Sequence, residues 1–361
     1  MIIMRYVLKE FLKFVAGSCI LCTFLFTLFD FIHKSGNYFA THQPSPKLIA
    51  SFYFYQMPFQ IVQTLPIASL LSSVTVMVLL NRTNEVTAMR AAGMTPRQIA
   101  MPLFLGGVLM MCAGYILNEV IVPRAAQHMH YIKKVKIEGE SQQDSLNPTQ
   151  WIRRNSKLFH YGSKGPNTIL RDIELLELDT DFFPKSVLTS KVAVFRQDQK
   201  KWFIQSGHEL HLNPAGVLST IKPIENELIE LPITPKNLEG ESRLPDELSI
   251  SELGYRVMDG HKSGMDVIAL NIAWHTKLSF PLAILLVSMI GLPFGYRSER
   301  APETVKGILL AIAVGIGYWF LLSAGRALAS TGDIPTWLGP WLGSFYLAFI
   351  IGAQSWRINR T

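Results

Sequence analysis

Few side chains in this 361-residue chain sit at spacings that do chemistry, and most of those fail on geometry. Cys19-x-x-Cys22 has the spacing of half a metal or redox motif. No second pair answers it, and both thiols lie inside an apolar run, so they read as small buried apolar side chains. His128 and His130 are two apart on an expected helix and do not face each other. His208 and His211 are three apart on an expected strand and point to opposite faces. No Gly-x-x-x-x-Gly-Lys-Ser/Thr, Gly-x-Ser-x-Gly or His-Glu-x-x-His occurs, so the sequence offers no phosphate-cradling loop, nucleophile elbow or zincin site. No catalytic residue, metal or cofactor is expected.

Two clusters survive. Asp30, His33 and Lys34 lie one turn apart at the end of an apolar run, where charge is costly enough to suggest function. Either Lys34 meets an anionic head group there, or the group snorkels as an anchor. Asn118-Glu119, near the end of a later run, reads as an interface pair rather than a proton site. The second cluster spans 81–97. Asn81 or Asn84 can cap a short helix, Glu85 suits its positive N-terminal end, and Gly93 suits a left-handed stop after Ala92. Thr95-Pro96 then opens the next helix. A two-turn helix is expected at about 82–93, with Glu85 and Met89 sharing a face at i, i+4. It is either a solvated connector or a coupling helix for a cytoplasmic motor. A plain connector needs only about 2–8 residues.

The elements that position these clusters follow from apolar runs at 14–32, 59–80, 101–122, 278–296, 305–323 and 337–353. Each can cross the roughly 30 Å hydrocarbon core as a helix. The first is read as a retained span rather than a secretory signal, being long and without a small-x-small cleavage pattern. The layout is three spans (1–122), an outer domain (123–277), then three spans (278–361). Glycines at Gly291-x-x-x-Gly295 and Gly339-x-x-x-Gly343, with Gly307, Gly315 and Gly317, allow close helix approach.

Charge gives the orientation. The chain is 49% hydrophobic but only 17% charged, with a net charge of +7. Between Arg124 and Lys277 there are 20 basic and 20 acidic residues, so the excess lies wholly in the membrane part. With the N-terminus cytoplasmic, the inner segments carry 11 Lys and Arg against 3 in the short outer loops. That bias puts both termini inside and the large domain outside. The basic balance is an insertion signal, and no nucleic-acid partner is implied.

The outer domain reads as all-β, with candidate strands at 149–154, 157–161, 169–178, 186–196, 201–205, 209–212, 217–222 and 227–233. Many short strands suggest a sandwich, barrel or jelly roll. Ser249-x-x-Glu252 is a capping box opening a helix to about Gly260.

Several segments resemble the LptF/LptG permease family of the lipopolysaccharide exporter. They are Leu65-Pro-Ile-Ala-Ser-Leu-Leu leading to Glu85 and Met89-Arg90-Ala-Ala-Gly93, then Leu248-Ser-Ile-Ser-Glu-Leu, Lys277-Leu-Ser-Phe-Pro281, Gly291-Leu-Pro-Phe-Gly295 and Gly332-Asp-Ile-Pro335. The texture is nearer LptG, while the opening Met-Ile-Ile-Met-Arg-Tyr is nearer LptF. The resemblance implies an inner-membrane α-helical protein of six transmembrane helices (3+3) with an inserted periplasmic β-jelly roll. It implies a heterodimer with a paralogous permease, two copies of the ATPase LptB, and the periplasmic partners LptC and LptA, with lipopolysaccharide as substrate among membrane lipids. By position, Glu85, Met89 and Arg90 would grip the ATPase. Phe26, Lys34, Tyr318 and Leu322 would line the lipid cavity, with Asp30 standing where some members carry a basic residue.

Two other classes compete. A membrane-embedded lipid-modifying enzyme predicts ionisable groups converging at one depth, whereas only Asp30 and Glu119 stand near span ends. A mechanotransmitting ABC subunit of the lipoprotein-release or efflux type predicts four spans and a larger outer domain.

Overall fold

Among the described residues, proline, glycine and apolar periodicity divide the chain into long helices and one sheet. The computed structural model describes residues 2–139, 152–154, 156–165, 169–179, 183–199, 201–213, 218–231, 233, 243–262, 267–295 and 301–358. By internal packing these fall into two compact units. One is Met1–Met129, Ser249–Gly254 and Ile268–Thr361; the other is His130–Leu248 and Tyr255–Val267.

The first unit is helical. Helix α1 (Ile2–Lys34) runs on through a π-helical turn, Ser35–Phe39, and one further turn, Ala40–His42. Gln43, left-handed at φ 44°, ends it. Ser45 and Pro46 open α2 (Pro46–Arg82), the proline sitting where a helix needs no N–H donor. The short α3 (Glu85–Ala91) leads to α4 (Pro96–Ile116). A π-helical turn, Leu117–Ile121, then continues into α5 (Val122–Tyr131). The second half holds α6 (Ile250–Lys262), α7 (Ile268–Met289), α8 (Ala301–Thr331) and α9 (Leu342–Ile358).

Among the described residues, five helices are long and apolar enough to cross a membrane: Ile2–His42, Pro46–Arg82, Pro96–Ile137, Ile268–Gly295 and Ile312–Thr331. The sixth apolar run folds as α9, whose 17 residues rise about 25 Å. The helices overrun their apolar runs because backbone hydrogen bonding does not stop where side chains turn polar. The third therefore passes unbroken through the boundary expected at 122/123, and α7 starts ten residues ahead of the one expected at 277/278.

Phe11, Met77, Leu103, Ala283 and Ile284 are fully buried in this unit. Glycines and serines bring the backbones close. A Cβ on Gly291 would strike the Ser73 carbonyl, and one on Gly325 would strike the Gly339 carbonyl. Ser279 donates to the Pro340 carbonyl at 2.9 Å and Asn271 to Thr336 at 2.7 Å, ties of the kind that hold helices together in lipid.

In the second unit, β1 (Ile152–Arg154), β2 (Lys157–Gly165), β3 (Ile169–Leu178), β4 (Pro184–Arg196), β5 (Lys201–Leu212) and β6 (Leu218–Ile229) form one antiparallel sheet in sequence order. This is a meander; among the described strands there is none of the crossing between sheets that defines a jelly roll. Two expected breaks are absent. The segments 201–205 and 209–212 are one strand, because Gly207 pairs with Ser190 and Ile224 rather than turning. A Cβ there would lie 2.7 Å from the Thr189 carbonyl, so the glycine serves close strand approach. Pro223 likewise stays in the ladder opposite His208, on the last strand of the sheet, where a missing N–H is tolerated. Phe159, Leu175 and Leu188 stand in register across β2, β3 and β4, all buried on one face. Trp202 donates through Nε1 to the Ile233 carbonyl at 2.7 Å, fixing the chain after β6 over this core.

Candidate functional site

Two places on the helical unit gather the side chains that sequence singles out, and α1 touches both. The first is α3. Asn84 occupies the N-cap in a left-handed conformation (φ 57°), and its side chain makes no capping bond, unlike the side-chain cap expected. The stop at Gly93 is as expected, with φ 83°. Met94 N donates to the Met89 carbonyl at 3.1 Å and Gly93 N to the Arg90 carbonyl at 2.9 Å, which together make a Schellman cap. Thr95 and Gln98 then form a capping box for α4. The Thr-x-x-Gln spacing carried that signal.

Burial sorts the residues of α3. Val86 and Met89, one turn apart, are 1% and 6% exposed and join the core, so Met89 anchors α3 rather than facing outward. Arg90 is exposed, as are Thr87, Ala88 and Ala91. Glu85 is half-buried; its Oε1 accepts from Thr83 Oγ1 at 2.9 Å and from the Tyr6 hydroxyl of α1 at 3.4 Å. Glu85 and Met89 therefore have separate duties, one toward α1 and one toward the core.

The second place is the other end of α1, about 36 Å from Tyr6 at 1.5 Å per residue. Lys34 Nζ donates to Asp30 Oδ2 at 2.7 Å and lies 4.8 Å from the centre of the Phe52 ring. The same oxygen accepts from the Tyr53 hydroxyl at 3.1 Å and Gln56 Nε2 at 3.5 Å, both on α2. Below it the seam continues. Thr27 donates to Gln60, Thr23 pairs with Thr64 at 3.1 Å, and Cys19 contacts Thr64 at 3.8 Å. Tyr53, Gln56, Gln60 and Thr64 escaped sequence reasoning. Their signal was polar residues recurring every three or four positions in α2, facing a matching series on α1.

The remaining expected residues are dispersed. Phe26 is 47% exposed on α1. Tyr318 and Leu322 are each 2% exposed, inside the core of α7, α8 and α9. Phe280 lies 6.4 Å from the Tyr318 ring, and a Cβ on Gly343 would lie 2.8 Å from it. The structure therefore does not bring Tyr318 and Leu322 to a surface shared with Phe26 and Lys34. Glu119 has partners far along the chain: its Oε2 accepts from the backbone of Ile250 at 2.9 Å and Ser251 at 3.3 Å, at the start of α6. The expected Ser249–Glu252 capping box is present beside it. Among the described residues no three His, Cys, Asp or Glu side chains gather to hold a metal ion.

This helical unit and its sheet have known relatives. The family model described as lipopolysaccharide export system permease LptF/LptG matches residues 5–360. The chain is 21% identical over 304 residues to LptG of Haemophilus influenzae, covering 84% of this chain and 83% of that protein. It is 22% identical over 344 residues to LptG of Escherichia coli K12, covering 92% and 94%. Matched from its first helix to its last, this multi-pass membrane protein belongs to the LptF/LptG family of lipopolysaccharide export permeases.

Proposed function

We propose that this chain is the LptG-type subunit of an ABC transporter that lifts lipopolysaccharide from the periplasmic leaflet of the inner membrane. It hands the lipid to a periplasmic bridge of LptC and LptA. A paralogous six-span permease completes the membrane part, and two copies of a cytoplasmic ATPase of the LptB kind supply the energy. The observation that carries this reading is the family match across residues 5–360. In this reading α9 is the sixth span, both termini are cytoplasmic, and the β-rich unit is periplasmic.

The physical division of labour agrees. Exposing an acyl chain to water costs about 0.8 kcal/mol per CH₂, so a dozen carbons cost on the order of 10 kcal/mol. Several chains per lipid make an uncovered crossing impracticable. Exposed apolar side chains on α1, with Phe24 at 62% and Phe29 at 68%, offer a covering surface. The motor is gripped by the exposed face of α3 with Glu85 and Arg90 in contact, Met89 anchors that helix in the core, and Tyr6 transmits from Glu85 to α1. Phe26 and Lys34 meet the lipid. Tyr318 and Leu322 join the cavity wall only when α8 moves away from α7 and α9.

The test is what co-purifies with the tagged full-length chain from native membranes. A six-span paralogue and an ATPase are expected. Their absence, together with no lipopolysaccharide captured by a photo-crosslinker at Phe26, would falsify the reading.

A further inference from the structure

The expected contact for an anionic head group, Lys34, is already engaged. Its ammonium and the Asp30 carboxylate form a 2.7 Å pair one helical turn apart, with the acid N-terminal to the base, the favourable order on a helix. Both side chains are only about a quarter exposed, Lys34 at 26% and Asp30 at 29%, so the pair is partly shielded from screening by solvent. Asp30 cannot easily turn away. The Tyr53 hydroxyl and the Gln56 amide of α2 bind the same oxygen, and Phe52 lies beneath the ammonium. The site is thus built from both helices around a charge that is already balanced.

We propose that Asp30 is a specificity-determining residue. Held by α2 and holding Lys34, it keeps the end of the α1–α2 seam electrically neutral, so that lipid recognition there does not depend on a phosphate in the head group. This rests on the lipid-exporting reading of α1 and adds a selectivity to it. A lone lysine near a membrane surface draws anionic lipid by about 1 kcal/mol, a factor of about five. With the carboxylate 2.7 Å away, the two charges act on a phosphate as a dipole, and the attraction largely cancels.

The experiment places a photo-crosslinking residue at Phe26, one turn before Asp30, in the full-length chain within its native membrane assembly. Vesicles carry either lipid A with both phosphates or the same lipid with its phosphates removed. The reading is the ratio of labelling, phosphorylated over dephosphorylated. The wild-type ratio should lie near one. Asp30→Asn keeps an oxygen for Tyr53 and Gln56 but unbalances Lys34, and should raise the ratio about five-fold. Lys34→Gln leaves the carboxylate alone and should lower it below the wild-type ratio. A strongly phosphate-selective wild type, or an Asp30→Asn ratio that is unchanged or lower, overturns the proposal and makes Asp30 an orienting partner for a phosphate-binding lysine. Labelling of neither lipid above that at Phe349, an exposed position on α9, instead overturns the lipid-exporting reading itself.

Discussion

Glu119 shows how a single carboxylate can join segments far apart in sequence. Its oxygen accepts two amide N–H groups, from Ile250 and Ser251, that the first turn of α6 leaves without helical partners. Removing a capping acceptor costs about 0.5–2 kcal/mol. Glu119→Ala should therefore speed hydrogen exchange at the amides of Ile250 and Ser251 by about two- to thirty-fold, with no change at Leu103 in the core. Equal exchange in both proteins would mean that water replaces the cap at no cost. Glu85 is read the same way. Glu85→Ala should reduce recovery of the ATPase, or lipid-stimulated ATP hydrolysis, several-fold. Tyr6→Phe removes only the 3.4 Å tie to α1. It should leave ATPase recovery intact while weakening stimulation. Identical behaviour of the two variants would rule out separate gripping and transmitting roles.

At the scale of elements, α3 depends on how it ends. Gly93 closes it at φ 83°, where a β-branched side chain is strained by about 1–3 kcal/mol and asparagine is tolerated. Gly93→Val should loosen α3 and lower ATPase recovery, while Gly93→Asn should retain most of it; equal loss in both would point to a direct contact at Gly93. In the sheet, Gly207→Val would force a Cβ against the Thr189 carbonyl, 2.7 Å away, and separate β4 from β5. The thermal unfolding midpoint should fall by several degrees. An unchanged midpoint would show that the two strands spread without cost.

At the scale of the whole molecule, orientation follows from where cations lie along the chain. The 11-to-3 bias of Lys and Arg predicts that a cysteine at Arg90 is labelled by a membrane-impermeant thiol reagent only from the cytoplasmic side. A cysteine at Asn37, at the far end of α1, should react only from the outside. Labelling of both from one side would break the topology. If the proposed function holds, the two ends of α1 stand in different compartments, and the helix between them would link the motor-gripping end to the lipid-binding end.

Sequence by itself determined the apolar runs, the charge bias, the Ser249–Glu252 capping box, the stop at Gly93 and the family. Each is written in neighbouring residues or in residue counts, because helix ends, insertion and composition are local physics. The tertiary structure decided what those residues do. It turned Met89 and Tyr318 into core, since burial depends on which helix arrives opposite. It merged four short candidate strands into β5 and β6, because Gly207, which resembles a turn, lets two backbones touch, and Pro223 is tolerated on the last strand of the sheet. It braced the Asp30–Lys34 pair from α2, through contacts between residues up to 26 positions apart that no local spacing encodes.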